Sequence, residues 1–381
     1  MRGGRLARTR LGRRAARLVR SVRERRARPP EREPPEARAH RALRQLAEVE
    51  DREPVLRTAS SPRLFLVRDR AVVVAGLDPA SSHLVPAPLR RSLRAGAAGV
   101  TQVSGSVAAD VVTLAKFDLG EQTKLRAHYV ATGLTVAAQP PVRHGTDGTQ
   151  NAVRAHEVVA RHAPGLAPRM LAHGQLVGGV RYVVEEWVDG APVMTREGLC
   201  EVAPDVLRGL ARLHDGYGVT HLAAGTVRGE VFAQRWARTV DTGVVPPVLA
   251  ERLARVLEDD RMVRVSWTHG DLVASNVLRT PDGRVVLIDW EHSREDLLMK
   301  DAAKLHLFSA EPGRTLGQAL DLLAGDEPET AVAGELALAH AQLLSRYADR
   351  RATLVGHARE AIYEQQVRRQ VQLLAAALER T

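Results

Sequence analysis

The segment His269-Gly270-Asp271-Leu272-Val273-Ala274-Ser275-Asn276 is followed further along the chain by Leu287-Ile288-Asp289-Trp290-Glu291. Asp271 lies five residues before Asn276 and eighteen before Asp289. Phosphoryl transfer from ATP needs such groups, because one carboxylate takes a hydroxyl proton while an Asn and an Asp hold Mg²⁺ on the phosphates. The spacing therefore indicates a site for phosphoryl transfer.

The hydrophobic pattern around this segment predicts how its polar groups meet. Apolar residues alternate over 263–267, which favours a short strand that ends at the first motif. The stretch Thr280–Gly283 has the composition of a turn, and 284–288 is typical of a second strand. A hairpin of this kind returns Asp289 to the neighbourhood of the other two oxygen-bearing side chains.

This pattern of His-Gly-Asp, four residues, Asn, and then a hydrophobic strand ending in Asp resembles the aminoglycoside phosphotransferase and choline kinase family. The resemblance implies an α+β, two-lobed protein-kinase-like fold, with a small β-rich N-lobe and a larger helical C-lobe. It also implies that Asp271 is the catalytic base, that Asn276 and Asp289 are metal ligands, and that His269 braces the catalytic loop. Gly270 stands where protein kinases have Arg.

The expected domain organisation follows from this resemblance and from composition. Residues 1–50 form a basic tail that is partly disordered, residues 51–188 form the N-lobe with its nucleotide-binding strands and helix, and residues 189–381 form the helical C-lobe. From Pro204 onward the apolar spacing is helical, and a helix is predicted over 297–308. By resemblance, Asp301 on that helix braces the catalytic loop.

The family resemblance also implies a phosphate-binding lysine on an N-lobe strand. The chain contains four lysines, Lys116, Lys124, Lys300 and Lys304. The last two follow the metal Asp, so Lys116 and Lys124 remain as candidates. Strand context favours Lys116, which ends an apolar run, and Lys124 stays the alternative.

A helix glutamate is expected to hold this lysine, and Glu157 is the candidate. The stretch 151–162 is typical of a helix, on which Val153, Glu157 and Ala160 share one face. An ordinary solvated charge is the other interpretation of Glu157. The gap between Lys116 and Glu157 predicts an additional hairpin within 125–150.

Two further nucleotide contacts are predicted in the N-lobe. The stretch 103–107 contains a single glycine, and the hydroxyl of Ser106 is a candidate phosphate contact, although a plain turn explains it equally well. The β-type run 180–190 ends at a Gly break and resembles the linker between lobes. Backbone groups near Glu186 and Val188 are expected to face the adenine ring, and the same contacts would accept GTP.

The net charge of +10 is concentrated in one segment. Residues 1–50 hold 16 Arg and 6 Glu, whereas the rest of the chain holds 39 basic and 39 acidic residues. The neutral body argues against nucleic acid as a partner. Residues 1–30 are interpreted either as a solvated tail, which dense like charge favours, or as an amphipathic helix in weak contact with an anionic membrane surface. A start codon assigned upstream of the true one would also produce such a segment.

The remaining compositional features bear on cellular location. The chain has no apolar run long enough for a transmembrane helix and no signal-peptide core, so the expectation is a cytoplasmic protein, peripheral at the membrane if the tail binds there. A single cysteine, Cys200, excludes an internal disulfide framework and a cysteine-based zinc site.

Two classes of function are consistent with these motifs. The first is an ATP-dependent O-phosphotransferase that uses Mg²⁺ and a small-molecule hydroxyl acceptor, such as an amino sugar, amino alcohol, sugar or glycoconjugate. The second is a non-catalytic nucleotide-binding regulator on the same fold. The intact set of Asp271, Asn276 and Asp289 favours the first. No segment of the sequence names the acceptor.

Overall fold

The computed structural model describes ten parts of the chain. They are residues 63–67, 70–74, 111–115, 124–129, 134–139, 147–175, 181–193, 195–258, 261–356 and 360–381. In the first five parts only the backbone is described, apart from the side chains of Thr135 and Ala137.

An antiparallel sheet of seven strands forms the N-terminal part of the described chain. Its strands are β1 Arg63–Val67, β2 Arg70–Val74, β3 Val111–Ala115, β4 Lys124–Tyr129, β5 Leu134–Gln139, β6 Met170–Gln175 and β7 Arg181–Glu186, in the order β2-β1-β3-β4-β5-β7-β6. β4 and β5 pair directly, which confirms the hairpin predicted within 125–150.

Helix α1, Gly148–His162, packs against this sheet. It begins after Asp147, whose side chain accepts a hydrogen bond from Gln150 N at 3.0 Å and satisfies one of the helix's first amides. Its buried face differs from the predicted one, because Glu157 and Ala160 are exposed. The residues that face inward are Gly148, Thr149, Ala152, Ala155, His156 and Val159.

The C-terminal part is mainly helical. Its helices are α2 Arg196–Tyr217, α3 Ala224–Asp241, α4 Pro247–Glu258, α5 Lys300–Phe308, α6 Pro312–Leu323, α7 Glu329–Leu344, α8 Tyr347–Leu354 and α9 Glu360–Leu378. They enclose the main hydrophobic core, to which α2, α5, α7 and α9 contribute fully buried leucines and alanines. The fold is therefore a mixture of helix and strand, as predicted.

Two small three-stranded sheets carry the predicted motif region. Their strands are β8 Ala191–Pro192, β9 Thr220–Ala223, β10 Met262–Thr268, β11 Val277–Arg279, β12 Val285–Leu287 and β13 Arg294–Leu297, in the orders β13-β10-β9 and β12-β11-β8. The predicted strand before His269 and the predicted hairpin are both confirmed.

One predicted helix boundary is wrong. The helix predicted over 297–308 begins at Lys300, because residues 294–297 extend along β10 as strand β13. The helical spacing predicted from Pro204 onward is confirmed by α2, which already begins at Arg196 after the Thr195 cap. Among the described helices, none is both long and apolar enough to cross a membrane.

Candidate active site

The catalytic loop is anchored by one buried carboxylate. β10 ends at Thr268, and the next two backbone amides donate to Asp301, from His269 N to Oδ2 at 2.6 Å and from Gly270 N to Oδ1 at 3.0 Å. Asp301 is fully buried on the first turn of α5. Hydrogen bonds to charged groups are stronger than neutral ones, so this pair fixes the start of the loop. The predicted bracing role of Asp301 is confirmed.

The ring of His269 connects the two loops of the site. Its Nε2 lies 2.9 Å from the carbonyl oxygen of Ile288, and its Nδ1 lies 3.2 Å from the backbone nitrogen of Asp271. Because a carbonyl accepts only, Nε2 donates and Nδ1 accepts, which is the neutral tautomer. The ring also packs on Trp290, with centroids 4.6 Å apart. The His269 ring therefore contacts the backbone of both loops.

The backbone at Gly270 has no room for any side chain. Its φ of +79° lies in the left-handed region, which residues with side chains rarely adopt. A Cβ at this position would stand 2.2 Å from the backbone oxygen of His292. The loop therefore approaches the segment after Asp289 more closely than any side chain permits.

The hairpin β11–β12 brings Asn276 beside the second loop. Asn276 ends a single 3₁₀ turn and is buried, its Nδ2 donates to Asp271 O at 2.9 Å, and its carbonyl oxygen accepts from Ile288 N at 2.9 Å. The amide group is thus held by its donor end. Its Oδ1 atom remains as the acceptor that could bind a cation.

Asp289 has an unusual backbone conformation. It adopts φ 68° and ψ 55°, and it is the one non-glycine residue with positive φ in the part of the chain that the structure describes. Such a conformation costs of order 1–3 kcal/mol and is concentrated at functional sites. This conformation turns the chain sharply two residues after the end of β12.

Asp271 carries a contact that the sequence did not suggest. Lys304, one turn after Asp301 on α5, places its Nζ 2.5 Å from Asp271 Oδ1. Burial of Asp271 raises its pKa, but the Lys304 charge and hydrogen bond outweigh this, so the net pKa lies below the ordinary value. The carboxylate is therefore held ionised, as a proton acceptor requires. No sequence signal singled out Lys304, because the contact depends on how α5 is oriented against the loop.

The hinge residues border a cavity of about 400 Å³, within the usual range for small-molecule sites. Glu186 and Val188 line it, and the turn of the β11–β12 hairpin forms another wall. Glu186 N donates to Arg169 O at 2.9 Å, and Val188 O accepts from Gly190 N at 2.9 Å. The predicted hinge is thus an ordered strand-to-linker segment beside a cavity.

The predicted lysine and glutamate pair is the least supported part of the site. Ser106 and Lys116 lie outside the described residues, and Lys124 is described only by its backbone, as the first residue of β4. Glu157 points to solvent, because the inward position of α1 is taken by His156, which lies 2.7 Å from Glu185 Oε1.

The strand order shows how far β4 and β3, the strands closest in sequence to the candidate lysines, lie from the predicted hinge in β7. β5 is the strand that joins the hinge strand β7 to the rest of the sheet, and its sequence Leu134–Gln139 contains no lysine. β4 lies one strand further from the hinge, and β3 two strands further. Neighbouring strands are about 4.8 Å apart, so β3 lies roughly 10 Å beyond β5.

The family model of the phosphotransferase enzyme family (APH) matches residues 129–336, from the end of β4 into α7. The chain belongs to this family. The match includes the hinge, the catalytic loop and the second loop of the phosphotransferase. A search of curated proteins found no match.

Solved structures similar to the phosphotransferase have low sequence identity. An aminoglycoside phosphotransferase from Alicyclobacillus acidocaldarius is 19% identical, with a TM-score of 0.45, covering 70% of this chain and 91% of that one. A choline/ethanolamine kinase family protein from Mesorhizobium loti is 18% identical, with a TM-score of 0.46 and coverages of 75% and 99%. A putative fructosamine-3-kinase from Thermobifida fusca is 20% identical, with a TM-score of 0.46 and coverages of 72% and 98%.

Proposed function

We propose that this phosphotransferase moves the γ-phosphoryl group of ATP to a hydroxyl of a small molecule, with Mg²⁺ as cofactor. The observation that carries the proposal is the convergence of Asp271, Asn276 and Asp289, which the β11–β12 hairpin brings to one place. This set has the proton acceptor and the oxygen ligands that phosphoryl transfer needs.

Asp271 is proposed to act as the general base. Its carboxylate accepts the proton of the acceptor hydroxyl as the new O–P bond forms and the bond between the γ-phosphorus and the leaving oxygen of ADP breaks. Its lowered pKa means that the carboxylate is ionised at neutral pH and can accept a proton. Asp301 accepts from the amides of His269 and Gly270, and the His269 ring accepts from the amide of Asp271, so both hold the backbone that leads into Asp271.

The residues present fit a magnesium ion shared with phosphates. Within the described residues, no group of three or more His, Cys, Asp and Glu side chains could hold a metal ion. Asn276 Oδ1 and the Asp289 carboxylate would supply two hard oxygen ligands, which suits Mg²⁺ because it takes its other ligands from phosphates and water. When bound, the ion neutralises charge on the transferring phosphoryl group.

Lys304 is proposed to stabilise negative charge at the transfer site. Its ammonium already contacts the base, and its side chain is only 12% exposed. A buried cation at this position would act on both the carboxylate and an incoming phosphoryl oxygen. This places a positive charge in the C-terminal half of the site, whichever N-lobe lysine contacts the nucleotide.

The remaining assignments are proposals of the same kind. The hinge backbone near Glu186 and Val188 would contact the purine, and Lys116, Lys124 and Ser106 stay candidates for the phosphate side, whereas the exposed Glu157 does not. We propose a cytoplasmic enzyme whose partner is the small acceptor and not a nucleic acid. Residues 1–30 could add weak contact with an anionic membrane, which vesicle binding of the full chain and of a chain lacking these residues would test.

The decisive experiment compares the wild type with Asp271→Asn. We expect Mg²⁺-dependent release of ADP, in an acceptor screen, to fall by about 100- to 10,000-fold in the variant. Asp321→Asn, an exposed change of the same kind on α6, should leave turnover unchanged. Equal turnover in wild type and Asp271→Asn would refute the mechanism.

A non-catalytic nucleotide-binding regulator remains the alternative, and one observation favours it: the N-lobe helix presents His156, not Glu157, to the sheet. Equilibrium binding of a fluorescent ATP analogue separates the two functions. A regulator binds the nucleotide but releases no ADP with any acceptor, whereas the proposed enzyme does both and loses only turnover in Asp271→Asn.

A further inference from the structure

A group of basic side chains extends away from the catalytic base along α5 and the neighbouring elements. We call it the basic group, and it consists of Arg235, Arg238, Arg294, Lys300, Arg346 and Arg350. Its first member, Lys300, lies one turn before Lys304 on the same face of α5. Because Lys304 contacts Asp271, the basic group begins about 5–6 Å along the helix from the transfer site.

Arg294 continues the basic group from Lys300. Both side chains share Asp296, with Arg294 Nε 2.9 Å from its Oδ2. Arg294 is also the strand partner of Thr268, the residue directly before the catalytic loop. Its side chain is 60% exposed, so a ligand near the loop can reach the guanidinium.

Arg346 joins this part of the basic group to α3 and α8. Partial burial lowers its pKa, and the charges of Arg350, Arg235 and Arg294 lower it further, while Asp296 opposes them. The chain just before Arg346 is tied to α3, because Thr239 Oγ1 donates to the carbonyl oxygen of Ser345 at 3.1 Å.

The carboxylates around the basic group are too few to balance it. Asp349 is shared by Arg235, at 3.2 Å, and Arg238, at 2.8 Å. Asp296 is shared by Arg294 and Lys300. The next carboxylate, Glu364, is paired with Arg351 and Tyr347. A third carboxylate, Asp301, also acts on the charge of Lys300. Among the described residues, six basic side chains therefore face three carboxylates, whereas the body of the chain outside residues 1–50 is balanced.

An excess of basic over acidic side chains at this distance from the proposed base favours one kind of ligand. Guanidinium groups bind phosphates and carboxylates through paired hydrogen bonds, and they repel cations. One helical turn from the transfer site is comparable to the span of a monosaccharide. A molecule with its hydroxyl at Asp271 would place a charged group on its far side against Arg294.

We propose that the acceptor of this phosphotransferase is anionic, carrying a phosphate or a carboxylate that Arg294 and Arg346 bind. The inference rests on the proposed function and narrows its acceptor class. Acceptors that are polyamine sugars or quaternary amines are not expected for this chain, because the basic group would repel their positive charge.

The first test measures binding of inorganic phosphate by calorimetry, with the nucleotide site filled by Mg²⁺ and a non-hydrolysable ATP analogue. The double variant Arg294→Gln/Arg346→Gln should weaken binding about 10-fold or more, because two charged donors are lost. Arg380→Gln, which removes an exposed arginine paired with Glu329, is the matched control. Ionic strength is held constant with KCl, since screening alone changes such affinities.

Several outcomes of this binding test are decisive. Saturable binding that is lost only in the double variant supports the proposal. Absence of saturable binding to the wild type, or equal binding by wild type and double variant, overturns it. Melting curves that agree between the double variant and the Arg380→Gln control exclude unfolding as the cause.

The second test uses turnover to rank acceptors. Glucose 6-phosphate and glucuronate are compared with glucose and glucosamine by ADP release in excess of basal hydrolysis. An anionic compound should be preferred, and the double variant should raise its KM more than it lowers kcat; the better anion distinguishes phosphate from carboxylate. Preference for glucosamine would overturn the inference. Phosphate binding without any ATP turnover would refute the proposed function and leave the anion site standing.

Discussion

The two halves of the candidate site are held together in different ways. In the catalytic half, Asp301, His269 and Asn276 each make hydrogen bonds to the backbone of the loops, so every bend is determined by a buried side chain. In the N-lobe half, His156 on α1 lies 2.7 Å from Glu185 on β7, so this contact joins helix and sheet through two side chains. The comparison teaches that the loops of the catalytic half are shaped by contacts between side chains and backbone.

The same comparison concerns charge. The catalytic half contains its own cation, Lys304, and its own anchoring carboxylate, both on α5. The predicted glutamate of the N-lobe helix is exposed, and the strand next to the hinge has no lysine. We therefore expect electrostatic stabilisation of transfer to depend more on α5 than the family resemblance implies.

Substitution of Gly270 should have the largest effect, because it breaks the catalytic half directly. Gly270→Ala should lower kcat by about 100-fold or more, since a shift of the loop by an ångström misplaces the base. It should also lower the free energy of unfolding by roughly 2–4 kcal/mol, because the new Cβ meets a backbone oxygen. Turnover and urea denaturation measure the two effects.

Gly283 supplies the control for this prediction. It also has a positive φ, +84°, but nothing lies within 4 Å of its Cβ position. Gly283→Ala should therefore cost only about 1 kcal/mol of conformational strain and leave kcat intact. If both variants lost activity equally, steric contact with His292 would not explain the need for glycine at 270.

The structure also explains which features the sequence could predict. The loop, hairpin and second loop follow from local spacing and turn composition, so Asp271, Asn276 and Asp289 could be placed together without coordinates. The contact between Lys304 and Asp271 could not, because it joins residues 33 apart through the orientation of α5. The presence of α1 was predicted from its pattern, but its buried face was not, since a polar residue, His156, occupies it.

Substitution of Lys304 should have the next largest effect. It tests whether the positive charge on α5 keeps Asp271 ionised. In Lys304→Met the burial that raises the Asp271 pKa remains, while the ammonium that lowers it is gone. The pKa should rise, so the acidic limb of the kcat profile should move to higher pH. At neutral pH, kcat should fall roughly 10- to 100-fold.

Two variants make this result specific to the charge. Lys304→Arg keeps a cation and should restore the acidic limb toward its original position, even if packing is altered. Arg380→Met removes a distant exposed cation and should leave the profile unchanged. A profile for Lys304→Met that overlays the wild type would show that Asp271 does not depend on α5.

The smallest effects should arise at helix α1, where adjacent residues offer a matched pair. His156 is 3% exposed and bonded to Glu185, so His156→Ala should lower the free energy of unfolding by about 1–3 kcal/mol. Glu157→Ala should change it by less than about 0.5 kcal/mol, because that side chain is exposed. Its kcat should change less than twofold, since a solvated carboxylate cannot orient a lysine on the sheet. A large loss of ADP release in Glu157→Ala, with stability intact, would instead mean that α1 turns this residue toward the nucleotide, and the contrast between the two halves would disappear.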